Sequence, residues 1–296
     1  SRGLGDVYKR QAYPTQHHFI AGANMKIPDF PLPSQPRTEI HFRMPTVDDA
    51  MLYSDSLPDQ EEATTTKYLN AMQTGEVNDS ALWTAQDRRT ALWWIYINSR
   101  TDTVTTYPYS CQHCGETHFY DFDMRELSEN AELLTEVPER RVTVPVQGVP
   151  TEWILKPLDG RGICMLEKLR FMLPEETDPE YKNAERRMRL AEIALNTALD
   201  DDPDDYEAAA NRRYDLIATM ATDTEFVPLV AKIHLMQREL RHGLEVSIER
   251  GVVSLVLPPH SCESEGKEGK ATRLLVPFRN SSFIPNFKSE WLVNRY

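Results

Sequence analysis

The sequence predicts an α+β fold in which helical bundles alternate with short antiparallel hairpins, one of them carrying a C-x-x-C tip of zinc-knuckle type. Three observations predict it. Long stretches between residues 47 and 241 repeat apolar residues at helical spacing. Short runs flanked by Gly, Pro or Asn alternate apolar and polar residues, as half-buried strands do. Between two such runs lies Ser110-Cys-Gln-His-Cys-Gly-Glu-Thr117, followed at once by His118.

The chain is divided by these patterns into three parts: 1–36, 37–140 and 141–296. Residues 1–11, SRGLGDVYKRQ, resemble a translated sequencing-adapter scar and are set apart from the fold. Met25 is either the true start or an internal residue. Pro28, Pro31, Pro33 and Pro36 make the next segment an extended arm, because proline removes a backbone donor and restricts the residue before it. Residues 39–44 alternate as a strand that Pro45 ends. Thr46 caps a helix over 47–57 with Asp48 and Asp49 in its first turn. Pro58 opens a second helix, to residue 73. Asp79 or Ser80 caps a third, to about 99, whose stripe of Trp83, Thr90, Trp94 and Ile97, with Trp93 and Tyr96 beside it, reads as core. Strands over 103–109 and 117–122 flank the cysteine turn.

The third part opens with a hairpin, 141–146 and 151–156, joined at Gln147-Gly148. A helix over 163–173 follows, then three more at about 179–199, 204–221 and 225–241, the last capped by Asp223 or Thr224. Gly243 closes it. A final hairpin pairs 244–257 with 271–278, and an aromatic tail runs from 283 to 296. Glu39-Ile-His-Phe-Arg-Met-Pro and Glu152-Trp-Ile-Leu-Lys-Pro look alike, each a strand ending in proline before a helix. They suggest an internal duplication, about 37–135 and 141–290; the alternative is that this common pattern recurs by chance.

Composition narrows the function. With 40% hydrophobic and 27% charged residues the chain can bury a sizeable core. A net charge of −13 disfavours broad nucleic-acid binding. No apolar run reaches the ~18 residues of a membrane span. Four cysteines in 296 residues are no disulfide framework; they point to metal or redox chemistry in a reducing compartment. Phosphate-loop, dinucleotide, nucleophile-elbow and H-E-x-x-H signatures are missing, so no enzyme is nominated.

The candidate site is a metal site. Cys111 and Cys114 supply two thiolates, and Gly115 lets the turn go left-handed. His118 supplies a third donor. Cys262 and His260 complete the set if the two hairpins meet, giving one structural zinc ion; the alternative is a degenerate site with reduced cysteines at a hairpin tip. His113 points outward. A redox role would need the motif at a helix N-terminus, whereas a strand follows it. Cys164 is an inert core thiol. The run Asp200-Asp-Asp-Pro-Asp-Asp205 lacks the ligand spacing of a calcium loop and reads as a helix cap. Arg186-Arg187-Met188-Arg189 reads as ordinary surface pairing with Glu185 and Glu192.

The order E-I-H-F-R-M-P-T-V-D-D-A, then helices, then S-C-Q-H-C-G-E-T-H-F-Y-D-F-D-M, with the ending R-L-L-V-P-F-R-N-S-S-F-I-P, is similar to baseplate-hub and tail assembly proteins of tailed bacteriophages. It departs from them in having no Phe between Pro45 and Thr46, and in keeping only His260 and Cys262 of a second knuckle. The resemblance implies a non-enzymatic morphogenesis protein, made in the host cytoplasm and acting there or in the virion. Its partners would be other tail or baseplate proteins, with no nucleic acid and no membrane span. A zinc-ribbon-like nucleic-acid or protein adaptor is the competing expectation, and a metal-dependent or redox enzyme the third.

Overall fold

Helix α3, Ala85–Ser99, is the element around which the chain packs, for it is buried on most sides: Trp93, Leu92, Ile95 and Ala91 are fully buried and Trp94 nearly so, and so are the polar Asp87, Arg88 and Thr90. The structure, a computed structural model, describes residues 26–249, 251–262, 264, 266 and 269–286. The scar-like start, the choice of start residue and the end of the aromatic tail lie outside them. Within them the fold is mixed α/β, with seven α-helices and several small antiparallel sheets.

Two strands, β1 (Phe30–Leu32) and β2 (Gln35–Ile40), pair antiparallel. The proline-rich segment is therefore no free arm. Its prolines keep the backbone extended, as expected, but Ile27, Phe30 and Leu32 between them are buried against α3, and the Trp94 indole donates to the Pro28 carbonyl at 3.0 Å. Helix α1 (Val47–Tyr53) starts as its sequence demands, with Thr46 and Asp49 forming a capping box. Helix α2 (Glu61–Met72) follows. The cap of α3 is Thr84 in a second capping box with Asp87, and not Asp79 or Ser80, the residues expected to cap it. Strands β3 (Val104–Ser110) and β4 (Thr117–Asp123) then pair over their whole length, Ser110 opposite Thr117.

Strands β5 (Arg140–Val146) and β6 (Val149–Leu155) turn at Gln147 and Gly148, with φ of 51° and 78°. Such a two-residue turn matches the twist of the strands but strains glutamine. Gln147→Asn is expected to raise stability by about 0.5–1 kcal/mol, read as a higher urea midpoint at unchanged slope. Helices α5 (Tyr181–Leu195), α6 (Tyr206–Ala218) and α7 (Val227–Glu239) pack beside this hairpin, with β7 (Thr197–Ala198) adding a third strand, while α4 (Gly160–Phe171) packs on α2, α3 and α5. Neither Asp223 nor Thr224 caps α7. A π-helical run, Thr222–Phe226, leads into it, and the buried Glu225 carboxylate accepts instead from the backbone of Ala221 and Gly148.

The expected final strand over 244–257 is two: β8 (Val246–Glu249) and β9 (Val252–Val256), hairpinned at Gly251 with φ of 78°. Beyond them β10 (His260–Ser261) pairs with β11 (Ala271–Thr272), and β12 (Leu275–Pro277) pairs with β9. One hydrophobic core gathers residues from Ile27 to Ala131 together with Leu244, Leu255, Leu257, Leu274, Phe283 and Ile284. A second gathers residues from Leu134 to Leu240, around Trp153. The last strands thus return to the first core, where the sequence grouped them with 141–296.

A buried polar node joins these parts. Asp87 accepts from the Ser34 backbone and hydroxyl at 2.8 and 2.6 Å, and from the Thr84 backbone at 3.1 Å. His242, fully buried just after α7, donates from Nδ1 to the Leu240 carbonyl at 2.6 Å, so its Nε2 accepts the Thr84 hydroxyl at 2.7 Å. Burial lowers the His242 pKa below 6.5, against the opposing effects of Asp87 and the Leu240 carbonyl, and Arg89 adds to the lowering. A depressed folded pKa means the unfolded chain takes up the proton first. Stability from this group is complete above the unfolded value of about 6.5 and is lost as pH falls below it. Denaturation midpoints between pH 7.5 and 5.5 are expected to fall less steeply in His242→Gln than in the wild type.

Candidate metal centre

The six residues between β3 and β4 form a tight turn. The Gly115 backbone donates to the Cys111 carbonyl and the Cys111 backbone to the Glu116 carbonyl, both at 2.9 Å. Gly115 has φ of 78°, a region that glycine enters without strain. The turn brings Cys111 and Cys114 to one side and aims the His113 backbone N–H at Cys111 Sγ, 3.5 Å away. His118, one residue into β4, turns its Nε2 toward the same point, 3.1 Å from Cys114 Sγ.

The fourth donor comes from the far end of the chain. Cys262, directly after β10, places Sγ 4.0 Å from His118 Nε2. Ligand atoms of Cys111, Cys114, His118 and Cys262 all lie within 4.8 Å of one another, and this is the cluster of such residues found among the described residues. A tetrahedral zinc with bonds of about 2.0–2.3 Å needs donor separations of about 3.5–3.8 Å. The two sulfur–nitrogen distances bracket that range. Cys111, Cys262 and His118 are buried, at 2%, 5% and 8% exposure, and Cys114 is half-buried. Three sulfurs and one nitrogen fill a tetrahedron and leave no open position, which is the composition of a structural site and not a catalytic one.

Electrostatics favour a cation here. The His113 backbone N–H lowers the Cys111 pKa, and the Ser264 hydroxyl lowers that of Cys114. The Ser264 backbone also favours the Cys262 thiolate, but desolvation and the neighbouring Cys111 and Cys114 sulfurs outweigh it and push that thiol up. Three thiolates in contact repel one another; a divalent ion removes the conflict.

His260 is outside the four-residue cluster. Its Nδ1 bonds the Tyr109 hydroxyl at 2.7 Å, and its ring stacks on Tyr120 with centroids 4.4 Å apart. His113 does not simply point outward, since its Nε2 donates to the Ala271 carbonyl of β11 at 3.0 Å. Both histidines therefore clamp the β3–β4 tip to the C-terminal strands, as does Thr272, whose hydroxyl is 3.8 Å from Cys111 Sγ. Ser264 and Thr272 were not legible as site residues, having no spacing signature. Cys164 stands apart on α4, half-buried, its thiol pushed up to about 11 by burial, which makes it unreactive.

The other charged motifs are occupied elsewhere. Asp200, Asp201 and Asp202 pair with Arg141, Arg212 and Arg213, and Asp205 caps α6. Arg189 pairs with Glu185 one turn away at 2.6 Å. No described helix is long and apolar enough to cross a membrane. No family model, curated protein or solved structure matches the chain significantly.

Proposed function

We propose that the protein is a non-enzymatic structural or assembly component of a tailed bacteriophage, acting in tail or baseplate morphogenesis, and that its cysteine tip is a zinc knuckle holding the fold together. The observation that carries the structural reading is the closed donor set of Cys111, Cys114, His118 and Cys262, drawn from two ends of the chain. An ion there staples the β3–β4 hairpin to the strands after α7, which share its core. The phage assignment is supported by the strand–proline–helix and C-x-x-C-G-x-x-H motifs in their order along the sequence. The acidic flank of the tip, Glu116, Asp121, Asp123 and Glu126, speaks for a protein partner over nucleic acid.

An internal duplication, about 37–135 and 141–290, belongs to the same reading, supported by the likeness of Glu39-Ile-His-Phe-Arg-Met-Pro and Glu152-Trp-Ile-Leu-Lys-Pro. Removing the gene from its phage should leave particles without complete tails, restored by the wild-type gene. Normal virions without it would contradict the assignment.

A further inference from the structure

Between helices α2, α3, α4, α5 and α7 and strands β8, β9 and β12 lies a cleft of about 910 Å³, within the size range of ligand sites. Its inner wall carries Arg89 of α3. In a chain with 46 acidic and 33 basic residues, cations usually find partners: the buried Arg88 and Arg213 both pair with carboxylates. Among the described residues no carboxylate lies within ion-pair distance of Arg89, nor of Arg170 and Arg279, which line the same cleft and stand exposed to solvent. The protein around Arg89 pushes its pKa down to about 10, chiefly by burial and also through Arg88, with the Glu62 and Asp87 charges opposing. Arg170 lies over Gly251, where even a Cβ would come within 2.9 Å of its guanidinium.

The carboxylates lining the cleft are mostly engaged already. Glu61 accepts from the Ser281 backbone, Glu62 from Arg88 and Asn280, and Glu167 from the Glu62 backbone. Burial also pushes Glu167 up to about 7, so it carries only part of its charge at neutral pH. Glu192 alone of the four is exposed without such a bond. The mouth adds apolar surface: Phe171, Ile248 and Val252 are all more than half exposed.

We propose that this cleft binds an acidic peptide segment of a partner protein, with side-chain carboxylates meeting Arg89, Arg170 and Arg279 and interleaved apolar residues covering Phe171, Ile248 and Val252. A small anion would leave the exposed apolar rim uncovered, whereas a peptide with interleaved apolar residues covers it. The site is separate from the metal centre and does not depend on it.

The test is fluorescence anisotropy of a labelled peptide of alternating Glu and Leu, against its Gln-for-Glu counterpart, with the full-length chain at low salt. The acidic peptide should bind at least about tenfold more tightly, and Arg89→Gln should weaken it by about tenfold. Arg279→Gln, at the exposed edge where folding is not at stake, should weaken it about threefold, with thermal melting unchanged. Equal binding of the two peptides would overturn the proposal, as would affinity unchanged in both variants. Displacement by inorganic phosphate as readily as by unlabelled peptide would overturn it in favour of a simple anion site.

Discussion

Cys111→Ser is expected to reduce bound zinc from about one ion per chain to less than a tenth of that, and to lower the melting temperature by about 10 °C. The scale is that of losing a ligand present at a thousandfold its dissociation constant from a chain of this size. Three features make the effect large. Cys111 is almost fully buried, its backbone closes the turn, and serine is a poor zinc ligand. A chelator should destabilise the wild type by a similar amount and leave the variant nearly unaffected. Because four protein donors fill a tetrahedron, the loss should appear as stability. A variant that keeps its zinc, or melts with the wild type, would contradict a role for Cys111 as a ligand.

The second large effect is expected at Asp87. Its carboxylate is fully buried and receives the Ser34 backbone, the Ser34 hydroxyl and the Thr84 backbone, with His242 Nε2 3.7 Å away. Asp87→Ala strands these donors and removes the capping box of the central helix at once. Orphaned buried donors and a lost cap together should cost about 3–5 kcal/mol. Urea denaturation measures this directly, as a lower midpoint. Asp87→Asn keeps the shape but loses the charge and one acceptor, and should fall between. A loss below about 1 kcal/mol in Asp87→Ala would mean that water replaces the carboxylate, which its burial argues against.

What was legible in the sequence was local chemistry. The C-x-x-C with Gly115 specified a tight turn, Gln147-Gly148 a two-residue hairpin, and Thr46 with Asp49 a helix start, because each acts within a few residues. Cys262 was readable from its neighbour His260, since short runs of thiol and imidazole are rare. That Cys262 and not His260 joins the cluster was not readable: it depends on Tyr109 and Tyr120, far away in sequence, which hold the His260 ring. The helix start at Thr84 was missed because Asp79 and Ser80 offer the same cap chemistry, and only the packing of Trp83 and Asp87 chooses between them. The proline-rich segment was legible as extended, but its packing was not. Its prolines report backbone shape, while the partner that buries Phe30 and Leu32 is α3, more than fifty residues later. Arg89 gave no signal at all, because an unpaired cation is defined by neighbours that the fold supplies.

The zinc-edge X-ray absorption spectrum of the purified chain, expressed with zinc in the medium, tests the metal centre most directly. The expected first shell is three sulfurs at about 2.3 Å and one nitrogen at about 2.0 Å. A shell dominated by oxygen or nitrogen, or a chain that carries no stoichiometric metal, would contradict it.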